Sequence, residues 1–127
     1  RVFRLRALAY VGEKTEIEAA AKDLLGLQRP DGGWTQLPDL ESDAYATASA
    51  LAALAQAGGI TPLLPEYRKG LAWLLASQKP DGSWHVVTRS KPLQAYFESG
   101  FPHGKDQFIS AHATSWAVVA LALAVRP

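Results

Sequence analysis

The side chains of this 127-residue chain that could do chemistry gather in one stretch. His85, His103 and His112, the only histidines, lie in or just beyond residues 84–109, which also hold Glu98, Asp106 and the aromatics Tyr96, Phe97, Phe101 and Phe108. Imidazole exchanges protons near neutral pH, and a carboxylate can orient it or help it hold a cation. Three arrangements would use these residues. In a ligand pocket, aromatic walls supply surface while His85, Tyr96, Glu98, His103, Asp106 and His112 orient a polar group. In a metal centre, two histidines and a carboxylate would share an ion; the spacings match no standard ligand motif, so no metal and no cofactor are expected. In a plain Ω-type loop, the aromatics and internal hydrogen bonds serve only to fold the segment. The pocket and the loop both stay open, and Gly100 and Gly104 around Pro102-His103 give the tight backbone that either requires.

Composition narrows the classes. Lysine and arginine number 13 and aspartate and glutamate 12, for a net charge of +1. Nucleic-acid binding needs many uncompensated cations, so it is not expected. With 48% hydrophobic and 20% charged residues, the chain can fold around one core as a single domain. It has no cysteine, hence no disulfide and no thiolate ligand. It has no asparagine, so no N-glycosylation sequon. It begins at Arg1 and has no methionine, and is therefore read as an excised piece of something longer. Arg1–Val11 lacks the apolar region and cleavage site of a signal peptide. No unbroken apolar run reaches about 18 residues, the nearest being Ala117–Val125, so no membrane span is expected. Localisation is not legible.

The elements that must position these residues come from a repeat. Gln28-Arg29-Pro30-Asp31-Gly32-Gly33-Trp34 recurs fifty residues later as Gln78-Lys79-Pro80-Asp81-Gly82-Ser83-Trp84. Each copy follows a Leu-Leu pair, and each precedes an alanine-rich segment with Ala-Thr, at Ala46-Thr47 and Ala113-Thr114. The second unit carries an insertion, about 85–108. Repeat one is placed at about 15–60 and repeat two at about 66–126. Helical periodicity is expected over Ile17–Leu27, with Thr15 and Glu18 as a capping box. Pro30-Asp31-Gly32 then makes a turn. Further helices are expected at Asp43–Ala57 behind a Ser42 or Asp43 cap, at Glu66–Ser77, and at Ala111–Val125, which is apolar nearly all round and so should be buried. Arg1–Val11 reads as the end of a preceding helix, and Trp84–Thr88 as the best candidate for a short strand. The many alanines of 44–57 should let neighbouring helices approach closely.

The stretch Lys69-Gly70-Leu71-Ala72-Trp73-Leu74-Leu75-Ala76-Ser77-Gln78-Lys79-Pro80-Asp81-Gly82-Ser83-Trp84 resembles the QW repeat of squalene–hopene and oxidosqualene cyclases. The first copy keeps Leu24, Gln28, Gly32 and Trp34, with Ala19 for the basic residue and Asp23 for the aromatic. Thr114–Leu121 is similar to the helix after a late cyclase repeat. The resemblance covers about Ala19–Val125. It implies an all-α fold, here a partial α/α toroid of about five helices, shared by terpenoid cyclases and protein prenyltransferase β-subunits. It also implies that Gln28, Trp34, Gln78 and Trp84 are structural braces between repeats. The family's acidic proton-donor cluster would fall at Asp39–Ala44, with Asp43 as the catalytic candidate. Tyr45 and Ala46 stand where further aspartates should be, or Ala44 does in another register, so the cluster is incomplete. A helix cap is the other role open to Asp43. The prenyltransferase zinc set includes a cysteine, which this chain lacks.

Two functions follow. The chain is a toroid segment whose parent acts on an isoprenoid or other apolar ligand, the segment itself not being catalytic. Alternatively, it is a non-catalytic repeat module that binds a ligand or protein through the insertion. A concave helical face left open would favour a homodimer.

Overall fold

The computed structural model describes residues 1–91 and 95–125. It is all helical: α1 Val2–Val11, α2 Lys14–Leu25, α3 Ala44–Gln56, α4 Pro65–Ala76 and α5 Gln107–Ala124, with a 3-10 turn at Gly104–Asp106 before α5. No strand is present among the described residues.

α3 is the hub, packing along α5 most extensively and also meeting α1, α2 and α4. The composition of α3 explains this position. From Ala46 to Leu54 every residue is buried, and most are alanine, so neighbouring axes can come close. α5 answers with a stripe of mostly small residues, Gln107, Ser110, Ala113, Ala117 and Ala120, at three- and four-residue spacing. Only that stripe is buried. Phe108 and Val118 on the other side are more than half exposed, so the expectation of a fully buried last helix fails. Gly104–Ala124 is also long and apolar enough to cross a membrane by length and composition, which a packed core helix can equally be. The polar residues Gln107, Ser110 and His112 hid this from a search for unbroken apolar runs.

Several boundaries move for local reasons. α2 starts at Lys14, where the Glu16 carboxylate accepts the Glu13 N–H at 2.9 Å, replacing the expected Thr15–Glu18 box. α3 begins behind Asp43, whose Oδ1 accepts the Ala46 N–H at 2.9 Å. α5 starts a turn earlier than its apolar pattern suggests, because the 3-10 turn leads straight into it.

The two Pro-Asp-Gly turns are held by the same bonds. Trp34 Nε1–H donates to the Leu24 carbonyl and Trp84 Nε1–H to that of Leu74, each at 2.8 Å. Gln28 Nε2 donates to the Gly32 carbonyl at 2.8 Å and Gln78 Nε2 to that of Gly82 at 2.9 Å. Asp31 Oδ1 accepts from Gly33 N–H and Asp81 Oδ1 from Ser83 N–H, both at 2.9 Å. Gly32 and Gly82 take φ of 93° and 85°, the left-handed region that a side chain would strain. The backbone N–H of each tryptophan then donates to the threonine of the following helix, Thr47 Oγ1 at 2.9 Å and Thr114 Oγ1 at 3.0 Å.

Candidate functional site

The segment after the second turn explains how the insertion is held. Trp84, Val86 and Thr88 donate their backbone N–H groups to Thr114 Oγ1, Ser110 Oγ and Asp106 Oδ1 at 3.0, 3.1 and 2.9 Å. Two residues of extended chain advance about 6.7 Å and four residues of helix about 6 Å, so alternate N–H groups meet every fourth helical side chain. This ladder replaces the strand considered for Trp84–Thr88. Its amides find side-chain oxygens on one helix and need no neighbouring strand.

Around the lower end of that ladder three of the candidate residues converge. His85 Nε2 lies 2.8 Å from Asp106 Oδ2. The rings of His85 and His103 stack with centroids 4.7 Å apart and planes 23° from parallel. His103 Nε2 is 2.6 Å from Ser83 Oγ, which is itself 2.6 Å from Asp81 Oδ1. A carboxylate only accepts, so the Ser83 hydroxyl donates to Asp81 and must accept from His103. By the same logic His85 donates Nε2–H to Asp106. Both rings therefore carry their proton on Nε2. His103 sits at φ 83°, an unusual place for a residue with a side chain, and its contacts hold it there.

The electrostatics match a clasp. Burial pushes the Asp106 carboxyl up, yet the Thr88 N–H, the hydrogen bond and electrostatic influence of His85, and the Lys105 charge outweigh it, leaving the group below its ordinary value. The Ser83 hydroxyl and amide likewise hold Asp81 down. Ser83 is no nucleophile in this arrangement, because its proton points at a carboxylate and the neighbouring imidazole acts as donor, not base.

Glu98 belongs to a different group. It accepts from the Tyr96 hydroxyl and, at 2.8 Å, from Gly100 N–H. Tyr96 holds the Glu98 carboxyl down, and Glu98 in turn raises the Tyr96 phenol. The buried Gln107 organises this group, donating to Tyr96 Oη at 3.1 Å and to the Phe97 carbonyl at 3.0 Å. Tyr96, Phe97 and Phe108 are 63%, 64% and 51% exposed, so they do not close an aromatic-walled pocket. Phe101 alone lies against the histidine pair, tilted on His103 at 6.4 Å. His112 is exposed on α5, away from these bonds. No set of three or more His, Asp or Glu is placed to share an ion among the described residues.

Asp43 stands at the start of α3 with both oxygens engaged: Oδ1 caps the helix and Oδ2 accepts from Gln36 Nε2 at 3.1 Å. Gln36 Oε1 in turn accepts from Arg89 Nη2 at 2.9 Å, tying the insertion to the first repeat. This Arg89–Gln36–Asp43 chain joins residues 53 positions apart and has no local signature in the sequence. A groove of about 530 Å³, likewise without a local signature, lies beside these residues between α1, the loop after Trp34 and the first turns of α3.

No family model matches the chain. It is 32% identical over 114 residues to the lanosterol synthase erg7A of Aspergillus fumigatus. It is 31% identical over 114 residues to the lanosterol synthase ERG7 of Saccharomyces cerevisiae. Each alignment takes in 90% of this chain and 14% of the relative. The chain thus spans a small part, 14%, of the length of the curated relatives it matches, and the likeness is to terpenoid cyclases.

Proposed function

We propose that this chain is a repeat segment of a terpenoid cyclase-like α/α toroid, that its parent acts on an isoprenoid, and that the segment's own role is architectural. One observation carries the reading: how the first turn uses its side chains beyond itself. Gln28 Nε2 also donates to the Glu66 carbonyl at the start of α4, at 2.8 Å. Asp31 Oδ2 accepts from Trp73 Nε1–H on α4 at 3.2 Å. Gly32 and Gly70 permit close approach there, since a Cβ on either would come within 2.9 Å of Lys69 O or 2.8 Å of Trp34. The matching atoms of the second turn, Gln78 Nε2 and Asp81 Oδ2, reach no other element among the described residues, and the space over Gly82 is open. That is the pattern of a unit made to stack onward. Similarity to two lanosterol synthases supplies the isoprenoid class.

Asp43 is read here as a cap, because its carboxylate is already committed to the α3 amide and to Gln36. The alternative, a module binding a ligand through the insertion, has less behind it. His85, His103 and Asp106 satisfy one another and Ser83, while Glu98 turns to Tyr96. Incubation with squalene followed by gas chromatography–mass spectrometry tests the proposal. The 127-residue chain should give no cyclised product above a no-protein control, whereas the full-length parent should cyclise a squalene-type polyene. Product from the chain alone, lost in Asp43→Asn, would overturn the architectural role. A parent inert towards such polyenes would overturn the isoprenoid assignment.

A further inference from the structure

We propose that the groove beside α3 binds a single-chain anionic amphiphile, a long-chain carboxylate, with its head on Arg89 and its tail along the apolar wall. The groove, about 530 Å³, falls in the size range of small-molecule sites. Its floor is the buried Trp34. Phe3, Leu27 and Leu37 form the walls and are 66%, 50% and 46% exposed, so large apolar side chains from three separate segments face one space. Surface of this kind is stabilised by an apolar occupant.

Charge decides what sort of occupant. Two arginines line the groove, and they differ. Arg1 lies 3.8 Å from Asp23, a carboxylate it shares with Arg4 at 3.7 Å. Arg89 has no carboxylate within ion-pair distance among the described residues. One of its N–H groups is used on Gln36, which Asp43 anchors in turn, and its other donors make no hydrogen bond among the described residues. A purely apolar ligand would cover this cation without pairing it, which is unfavourable. A carboxylate presents two oxygens at the spacing of a guanidinium fork and neutralises one charge with one charge. Tyr45, on the same groove, makes no side-chain hydrogen bond among the described residues and can serve as a second donor to the head. This reading goes beyond the isoprenoid assignment, which supplies no anion, and does not depend on it.

The test is calorimetric titration of the chain with oleate below its aggregation concentration, beside oleyl alcohol, which has the same tail and no charge. Oleate should bind saturably at one site. Oleyl alcohol should bind about tenfold more weakly or less, and Arg89→Gln should lose about tenfold in oleate affinity while leaving oleyl alcohol unchanged. Leu37→Glu should weaken both ligands. Arg89 and Leu37 are exposed, so both variants should keep the fold, which circular dichroism checks. Arg68→Gln, an exposed change on α4, should have no effect. The proposal is overturned by non-saturable oleate binding, by equal affinity for oleyl alcohol, by an unaltered Arg89→Gln, or by an equal loss in Arg68→Gln. None of these outcomes bears on cyclised product from the parent, so the two readings fail separately.

Discussion

Replacing Thr47 by valine, and Thr114 by valine in a second protein, separates two chemically identical bonds by their burial. Each threonine hydroxyl accepts the N–H of a turn tryptophan, at 2.9 Å for Thr47 and 3.0 Å for Thr114. Valine keeps the β-branch and nearly the same volume, so rotamer preference, helix propensity and packing change little. What is lost is the acceptor. The Trp34 carbonyl is still satisfied by the Asp43 N–H at 3.0 Å, so in Thr47→Val the orphan is the Trp34 N–H alone. Thr47 is fully buried and no water can replace the oxygen, so the cost is that of an unsatisfied buried donor, about 1–3 kcal/mol. Burying a methyl group in place of the hydroxyl returns up to about 0.8 kcal/mol, leaving a net loss of about 1–2 kcal/mol. Thr114 is only half-buried, so water can approach the position its hydroxyl vacates, and Thr114→Val should cost about 0.5 kcal/mol. Urea unfolding followed by tryptophan fluorescence and circular dichroism, with slopes compared, measures both. A neutral Thr47→Val, or a Thr114→Val that costs as much or more, would refute the reasoning from burial.

Trp84→Ala should lose about 3–5 kcal/mol in the same urea assay, since the indole is buried and its N–H bonds to the Leu74 carbonyl; a loss under about 1 kcal/mol would contradict that packing. Asp106 sets an acid limit. Its folded carboxyl lies below the unfolded value of about 3.9, so its contribution is complete above that pH and is lost as pH falls through the folded value. Stability measured from pH 5 downward should therefore fall more steeply in the natural chain than in Asp106→Asn, and parallel curves would count against the clasp.

Much of the helical layout was legible because it is local. The fifty-residue recurrence of Gln-x-Pro-Asp-Gly-x-Trp marks two turns whose bonds close within a few residues, such as Gln28 to Gly32 and Asp31 to Gly33. Asp43 as a cap follows from its place before an alanine run. Boundaries drifted where a second local device competed, as Glu13 and Glu16 did with Thr15 and Glu18.

The insertion shows where reading along the chain stops. Its residue types fit a pocket or a loop equally well, because the choice depends on which side chains face each other across 20 or so positions. Three dimensions divide them: His85 and His103 stack and bind Asp106 and Ser83, while Glu98 goes to Tyr96 under the control of Gln107. Gln107 carried no signal of that role, since an exposed surface glutamine looks the same in sequence. By itself, then, the sequence determined the helices, the paired turns and the Asp43 cap, whose energies come from neighbours a few residues apart. Only the tertiary structure decided the stripe of α5 that is buried, the partners of the histidines and the groove beneath Arg89, because these arise from contacts between segments whose separation along the chain says nothing about their separation in space.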